Sequence, residues 1–310
     1  MKSLKPLISV IVTTRNEERH LDNCLASIRS QTYPKEKIEI IVVDNNSTDR
    51  TKEIAAKYTK KVYNFGPERS AQRNFGIMEK SQGKYVMYLD ADMILSSRVI
   101  ERAVAKMEKE KIAALYVPEV ILGVSFWAKV RRFERSFYDG TVIDCVRIVR
   151  KDVFEKSGGF DLKLTGPEDW DLDKKIRRLG RVNVLDKYDF AKINEKLKEI
   201  NFQENDWLEK LVEMTSVGLI FHNDLVFDLR KYLQKKIYYG RSFEIYKKKW
   251  GRNNSDLRKQ FGFWYRYFGV FWENGKWKNI FKFPELFFGV FFLRFLVGFN
   301  YLFSKKHGQT

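Results

Sequence analysis

Two aspartates that can bind a metal ion stand one residue apart in the sequence YLDADM. Asp90 and Asp92 directly follow the apolar segment Tyr85–Leu89, which is typical of a buried strand. Two carboxylates at a strand end can both address a hard cation such as Mg²⁺ or Mn²⁺. Such a cation stabilises a departing phosphate group, on which negative charge grows as the bond to it breaks. The structural alternative is a turn in which both aspartates accept hydrogen bonds from backbone amides.

A further acidic side chain, Asp44, ends the predicted strand Ile38–Val43 in the sequence VVDNNSTDRT. A carboxylate at the end of a parallel strand can accept hydrogen bonds from a nucleotide base or a ribose hydroxyl. Ser47 or Thr48 is predicted to cap the next helix, which runs to about Tyr58. The binding role and the capping role are compatible.

Glu168, Asp169 and Asp171 occupy the first turn of a predicted helix that Gly180 ends as its C′ residue. Acidic first turns are common, because negative charge complements the helix dipole. The Gly166-Pro167 dipeptide before them predicts a stiff, exposed entry, which suits the presentation of a carboxylate to a cleft. His222 ends another apolar run, and a lone histidine in such a place more often packs than binds a ligand.

Strand and helix patterns alternate through the first half of the chain and must position these side chains. This alternation predicts a mostly parallel sheet with helices on both faces, in which ligands bind beyond the carboxyl ends of the strands. No GxGxxG and no GxxxxGK[ST] sequence is present, so dinucleotide-binding and P-loop folds lose their main support. The predicted strands are Leu7–Thr13, Ile38–Val43, Lys61–Phe65, Tyr85–Leu89 and Ala113–Val117, and the helices are Glu17–Gln31, Ser47–Tyr58, Ser70–Ser81 and Ser97–Lys109.

Positive charge is concentrated near the C-terminus. The 310 residues have a formal net charge of +18, and residues 223–310 alone hold 18 Lys/Arg against 6 Asp/Glu. Residues 261–303 also contain 19 of the 47 aromatic residues. This basic, aromatic tail suggests an anionic partner such as phospholipid, a phosphate-bearing substrate or nucleic acid.

Two features predict that the protein works in the cytoplasm. Cys24 and Cys145 are the only cysteines and form no CxxC pattern, which favours a reducing compartment. The apolar run Leu7–Val12 is too short for the core of a signal peptide and fits a first strand better.

Six segments in order resemble glycosyltransferase family 2, whose members have the GT-A fold. The segments are VIVTTRNEE, VVDNNSTDRT, ERSAQRNFGI, YLDADM, GGFD with GPEDWDL, and IFHND. The resemblance implies that a sugar is moved from a nucleotide diphosphate donor, a UDP-sugar first of all, with Mg²⁺ or Mn²⁺ as cofactor.

The resemblance also implies a role for each site residue. Asp169, of the pair with Glu168, would be the general base for the acceptor hydroxyl, and Arg73 would lie near the diphosphate. The base and ribose of the donor would be bound by Thr14, Glu17 and Asp44. Asp90 would lie on the ribose or metal side, and Asp92 would bind the metal directly. His222 would complete the metal or diphosphate site.

The resemblance implies transfer with inversion, and the sequence itself shows no second nucleophile. The QxxRW pattern of processive synthases is missing, which favours the transfer of a single sugar. We expect a GT-A catalytic domain over residues 1–222, with a helical insertion at about 186–217. Residues 223–310 would form a helical region that attaches peripherally to the cytoplasmic face of the membrane, with a lipid-linked or glycan acceptor. Residues 286–303 could instead span the bilayer, although Arg294 at their middle opposes this.

Two other classes of protein fit the sequence less well than a glycosyltransferase. A non-catalytic membrane- or nucleic-acid-binding protein would fit the basic aromatic tail, but no RNA- or DNA-binding signature accompanies it, and we expect no nucleic acid partner. A sugar nucleotidyltransferase would share this type of sheet, but it would carry a glycine-rich loop where this chain has TTRNEE.

Overall fold

A computed structural model describes residues 5–306 of the chain. Within them the strands are β1 (Ile8–Thr14), β2 (Ile38–Asp44), β3 (Val62–Asn64), β4 (Tyr85–Asp90), β5 (Met93–Leu95), β6 (Ala114–Tyr116), β7 (Glu119–Ile121), β8 (Ile148–Arg150), β9 (Val182–Val184) and β10 (Ile220–His222). The helices as far as β10 are α1 (Leu21–Arg29), α2 (Thr51–Ala56), α3 (Arg69–Asn74), α4 (Val99–Glu110), α5 (Phe126–Arg135), α6 (Lys151–Lys156), α7 (Glu168–Leu179), α8 (Phe190–Lys198) and α9 (Trp207–Glu213). The C-terminal helices are α10 (Leu229–Gly240), α11 (Phe243–Trp250), α12 (Ser255–Phe261), α13 (Val270–Trp272), α14 (Lys278–Lys282) and α15 (Pro284–Lys306).

The central sheet has the strand order β3-β2-β1-β4-β8-β6-β9 within the described residues. Strands β3, β2, β1 and β4 run parallel, whereas β8 is antiparallel to both β4 and β6. Helices cover both faces, because alternate side chains of each buried strand point to opposite sides. In β1, Val10 and Val12 join one apolar cluster and Ile11 joins the other. The predicted mostly parallel sheet with helices on both faces is confirmed.

The parallel register brings three strand ends to one edge of the sheet. Thr14 at the end of β1 pairs with Asp44 at the end of β2, and Thr13 pairs with Asp90 at the end of β4. All seven residues of β1 are buried, as expected for a strand between two parallel neighbours. The predicted convergence of polar side chains at this edge is therefore present.

The predicted helix Ser70–Ser81 is present, as α3 followed directly by a π-helix over Phe75–Lys80. Two predicted details at helix ends were wrong. Neither Ser47 nor Thr48 caps α2, because the Ser47 hydroxyl donates to Asp44 and the helix begins later, at Thr51. Gly180 ends α7 in an extended conformation rather than a left-handed one, since β9 begins two residues further on.

The segment at 186–217, predicted to be a helical insertion, contains the helices α8 and α9. These helices enclose an apolar cluster of their own that includes Ile193, Leu211 and Phe221. Phe221 belongs to β10, which lies between β5 and β7 in a small second sheet. The insertion thus leads directly into the strand that ends at His222.

The last of the C-terminal helices, α15, packs on α5. Val290 and Leu293 of α15 are buried against Val130 and Phe133 of α5. In the same contact, Arg294 Nε donates to Glu134 Oε1 at 2.8 Å. Arg294 therefore lies inside the protein. None of the helices between residues 5 and 306 combines the length and the apolar composition that a membrane span requires.

Candidate active site

A cleft of about 340 Å³ opens beyond the carboxyl ends of β1, β2 and β4. Its floor comes from the strand ends and its rim from α3, the loop before α7, and α10. Its lining residues are Thr13, Thr14, Arg15, Glu17, Asn45, Pro67, Glu68, Arg69, Gln72, Asp90, Ala91, Asp92, Thr165, Lys235, Tyr238 and Tyr239.

Arg73 joins the predicted metal-binding segment to the predicted base. Its guanidinium donates to Asp90 Oδ1 at 2.7 Å and to Asp169 Oδ1 at 3.0 Å. The side chain is fully buried, and its guanidinium carbon lies 4.9 Å from the ring centre of Tyr88 and 5.1 Å from that of Phe160. Arg73 was predicted to lie near the diphosphate. The structure shows Arg73 buried and outside the lining of the cleft, where it holds two carboxylates from different elements together, and its place near the diphosphate stays a prediction.

We expect Arg73→Met to lower the free energy of unfolding by about 3 kcal/mol. The change leaves two carboxylates unpaired, and the expected loss is at the lower end for a broken buried ion pair because Asp90 and Asp169 keep some solvent contact. Urea unfolding followed by circular dichroism measures the change. Arg150→Met is the control, because its ion pair with Asp152 is exposed and its loss should cost less than about 1 kcal/mol. Equal losses in both variants would contradict a structural role for the Arg73 pairs.

Three carboxylates, those of Glu17, Asp90 and Asp92, line the cleft. Burial, followed by the negative charges of Asp92 and Asp90, raises the pKa of Glu17 to about 7. Burial also disfavours the charged form of Asp90. The positive charges of Arg73, Arg69 and Arg147 outweigh this effect and keep the pKa of Asp90 below its usual range.

Asp92 provides the observation that tests the fit of a metal. Its Oδ1 is buried and accepts no hydrogen bond. Among residues 5–306, no group of three or more His, Cys, Asp or Glu side chains is arranged so that it could hold a metal ion. Mg²⁺ sites in phosphoryl chemistry commonly use only one or two carboxylates and take the remaining ligands from substrate phosphates and water. Asp90 and Asp92 match that pattern.

Asp44 and Thr14 were predicted to bind the base and ribose of a donor. Asp44 is fully buried, and its Oδ1 accepts a hydrogen bond from Thr14 Oγ1 at 2.8 Å. Its Oδ2 accepts from the backbone amide of Ser47, also at 2.8 Å. Asp44 thus fixes the loop after β2, while Thr14, Glu17 and Asn45 of the predicted neighbourhood face the cleft.

The adjacent acids Glu168 and Asp169 have different surroundings. Glu168 is fully buried and accepts a hydrogen bond from Arg69 Nε at 2.8 Å. Burial, followed by the charge of Asp169, raises the pKa of Glu168. The Asp169 side chain is 20 % exposed, so its carboxylate keeps access to solvent. Of the two acids, Asp169 is the one whose geometry suits a base.

His222 lies next to the predicted metal-binding segment, but its ring contacts Glu119. It is opposite Met93 in the small sheet, and the amide of its neighbour Asn223 donates to the carbonyl of Asp92 at 2.8 Å. His222 Nε2 is 2.8 Å from Glu119 Oε2, and Glu119 also accepts from Arg147. The structure thus places His222 in a buried charge network beside Asp92, and a metal-binding role for it stays a prediction.

The structure adds three cleft residues that no motif singled out. Arg69 NH1 donates to the hydroxyl of Tyr239 at 3.1 Å, so α3 and α10 meet over the cleft. Lys235, also from α10, is exposed and lines the same cleft. Arg69 lies within the segment ERSAQRNFGI, one helical turn before Arg73. This spacing places both side chains on the same face of the helix and could have indicated Arg69 as a site residue. Lys235 and Tyr239 come from a distant part of the chain that shows no motif.

The family described as "Glycosyl transferase family 2" matches residues 9–160. The chain is similar to glycosyltransferase AglE of Haloferax volcanii, with 40 % identity over 112 residues, which cover 34 % of this chain and 36 % of that protein. It is also similar to the β-monoglucosyldiacylglycerol synthase of a Nostoc species, with 26 % identity over 206 residues, covering 59 % and 42 % of the two chains. The chain thus spans less than half the length of these curated relatives.

Two solved structures share the fold. A mannosyltransferase from Pyrobaculum calidifontis, in complex with GDP-Man and Mn²⁺, aligns with a TM-score of 0.61 at 15 % identity, over 98 % of this chain and 89 % of that one. Residues 1–349 of TarS from S. aureus, in complex with UDP-GlcNAc, align with a TM-score of 0.52 at 17 % identity, over 98 % and 92 %. Residues 9–160 therefore form a glycosyltransferase family 2 domain, and the sheet and flanking helices of the chain form the GT-A fold.

Proposed function

We propose that the protein transfers a single sugar from a nucleotide diphosphate sugar, with UDP-sugars the first candidates, to an acceptor hydroxyl with inversion of the anomeric configuration. The observation that carries the proposal is the bridge made by Arg73 between Asp90 and Asp169. It holds a carboxylate of the donor side and a solvent-accessible carboxylate in one rigid arrangement at the edge of the sheet.

Asp169 is the group that removes the proton of the acceptor hydroxyl. An ordinary carboxylate suffices, because the hydroxyl becomes acidic as its oxygen forms the bond to the anomeric carbon. The oxygen attacks from the face opposite the diphosphate, so a single displacement inverts the sugar. Arg73 fixes the orientation of Asp169 throughout.

The donor diphosphate fits the charge of the cleft. Arg69, Lys235 and Arg15 line it and supply positive charge. Asp90 and Asp92 would hold Mg²⁺ or Mn²⁺, which would neutralise charge on the leaving diphosphate. Support comes from the two neighbours with the same fold, whose structures contain UDP-GlcNAc in one case and GDP-Man with Mn²⁺ in the other.

Donor binding is tested by thermal unfolding of the purified protein with UDP-, GDP- and dTDP-sugars in the presence of Mn²⁺. A ligand that binds only the native state raises the unfolding temperature, and does so more strongly as its concentration exceeds its Kd. We expect one nucleotide class to stabilise the protein, and less so when Mn²⁺ is replaced by EDTA. No stabilisation by any nucleotide diphosphate sugar would count against the proposal.

The acceptor is proposed to be lipid-linked or part of a cell-envelope glycan, and the protein to attach peripherally to the cytoplasmic face of the membrane. Phe288, Phe292 and Phe295 follow one side of α15 and are 69 %, 53 % and 60 % exposed. Lys278 and Lys282 are exposed shortly before them in the chain. Apolar side chains at the headgroup boundary and cations, each contributing about 1 kcal/mol near an anionic leaflet, favour such attachment.

We expect the double variant Phe288→Ser/Phe292→Ser to bind vesicles of phosphatidylcholine and phosphatidylglycerol at least about tenfold more weakly, because each phenylalanine contributes buried apolar area. Vesicle flotation measures the bound fraction. Leu162→Ser/Leu179→Ser is the matched control, since both leucines are exposed on the catalytic part of the chain. A wild-type protein that does not float with the vesicles would refute membrane attachment.

A further inference from the structure

A second cavity, of about 650 Å³, lies between α5, the start of α7 and the C-terminal helices. This volume falls within the range of roughly 300–1,000 Å³ of small-molecule sites. On the basis of the proposed function, we infer that the cavity binds the acceptor, and that this acceptor is a membrane lipid carrying a phosphate group on an apolar chain.

The position of the cavity relative to the base supports an acceptor role. Thr165 lines the donor cleft, whereas Gly166 and Trp170 line the second cavity. Asp169 stands between them in the chain, and Tyr239 lines both spaces. Asp169 lines neither space itself, but Gly166 and Trp170, on either side of it in the chain, line the second cavity, and on this basis the reactive end of a ligand there is assigned to the neighbourhood of Asp169.

The separation of the two spaces depends on a close backbone contact. Gly166 has φ +101°, and a Cβ there would lie 2.7 Å from the carbonyl oxygen of Tyr239. Only glycine lets the loop before α7 approach α10 so closely. The contact between this loop and α10 thus keeps the donor cleft and the second cavity next to each other.

The charge of the cavity selects an anion. Five cationic side chains line it, against the two carboxylates of Glu119 and Glu134. Within residues 5–306, Lys236 and Arg266 of this lining form no ion pair. Burial, followed by the charge of Arg131, lowers the pKa of Lys236 to about 8, and an anion bound beside Lys236 would favour its charged form.

Arg294 provides the most specific sign of a ligand. Its Nε and NH2 are engaged by Glu134 and by the Tyr138 hydroxyl, the latter at 3.1 Å. Its NH1 is buried and has no hydrogen-bond partner, and the residue as a whole is 8 % exposed. An unpartnered buried guanidinium nitrogen is costly, and because Arg294 lines the cavity, a shift of its side chain toward a phosphate oxygen bound there would satisfy this nitrogen.

The remaining lining is suited to an apolar chain and connects to the proposed membrane surface. Aromatic side chains such as Trp170, Phe243 and Phe261 form much of the wall. One side of α15 contributes Leu293 and Val297 to the cavity, while Phe292 and Phe295 are exposed on the same helix. A single helix thus borders both the cavity and the surface proposed to meet the bilayer, which favours a lipid over a soluble phosphate.

The test is isothermal titration calorimetry with dodecyl phosphate below its critical micelle concentration. We expect the wild-type protein to bind dodecyl phosphate more tightly than inorganic phosphate or the neutral detergent dodecyl maltoside. Arg266→Gln should weaken binding by about tenfold or more, the scale of a lost charge-assisted hydrogen bond. Lys248→Gln is the matched control, because Lys248 is an exposed cation of the neighbouring helix α11.

Several outcomes would overturn the assignment. Equal losses in Arg266→Gln and Lys248→Gln would indicate general attraction to positive charge, and equal binding of dodecyl maltoside would remove the phosphate from the argument. Inorganic phosphate binding as tightly as dodecyl phosphate would point to a soluble phosphate instead of a lipid. Thermal unfolding with nucleotide sugars keeps the two proposals separate. Donor binding without dodecyl phosphate binding refutes only the acceptor cavity, whereas absence of donor binding refutes the proposed function.

Discussion

Asp169→Asn should reduce sugar transfer by roughly 10² or more and leave donor binding nearly unchanged. The amide keeps the size of the side chain but cannot accept the proton of the acceptor hydroxyl, and a lost general base typically costs 10²–10⁴-fold. Transfer is measured as turnover with saturating donor, and donor binding as stabilisation against thermal unfolding.

Glu168→Gln is the matched control for this prediction. Glu168 is adjacent in sequence but fully buried against Arg69, so its carboxylate is not available to an acceptor. We expect this variant to lose much less turnover than Asp169→Asn. If Asp169→Asn stays active while Glu168→Gln does not, the base has been assigned to the wrong carboxylate.

Removal of divalent metal should abolish transfer, and either Mg²⁺ or Mn²⁺ should restore it. Asp92→Asn should reduce turnover by roughly 10² or more, because metal stabilisation of a leaving phosphate is worth several kcal/mol and each 1.4 kcal/mol is tenfold in rate. Activity assays in EDTA, followed by addition of each ion, measure the dependence.

Asp152→Asn serves as the control for the Asp92 variant. Asp152 is a partly exposed aspartate at the start of α6, and its side chain pairs with Arg150 instead of facing the cleft. Its replacement should leave the metal dependence as in the wild type. Full activity in EDTA would contradict a metal held by Asp90 and Asp92.

The alternating pattern was sufficient to predict the central strands, because β1, β2 and β4 are continuous apolar runs that end in polar residues. Parallel pairing then places Thr14, Asp44 and Asp90 at one edge with no further information. The short strands β5, β7 and β8 were not predicted. Each has only three residues, too few to show a period, and is formed through pairing with distant partners.

The site was predicted less completely than the fold. Motifs singled out Asp90, Asp92 and Asp169, whose roles stay predictions, whereas the ion pair of Arg73 with Asp169 joins residues 96 positions apart. Asp44 illustrates the same limit, because a carboxylate at a strand end can either bind a ligand or fix its own loop. In the structure its hydrogen bonds go to Thr14 and Ser47. Lys235 and Tyr239 reach the cleft only because α10 folds back over it, which no local pattern indicates.

The most direct test of the central claim is the product released from a nucleotide diphosphate sugar. The purified protein is incubated with UDP-, GDP- and dTDP-sugars, Mn²⁺ and a lipid extract of the cells that make it, and the released nucleotides are separated by ion-exchange chromatography. We expect a nucleoside diphosphate to accumulate with the wild-type protein, to depend on the lipid extract, and to be reduced by about 10² or more with Asp169→Asn. Formation of a nucleoside triphosphate and a sugar 1-phosphate when pyrophosphate is added, as by a nucleotidyltransferase working in reverse, or equal release of nucleoside diphosphate by the two proteins would contradict sugar transfer at this cleft.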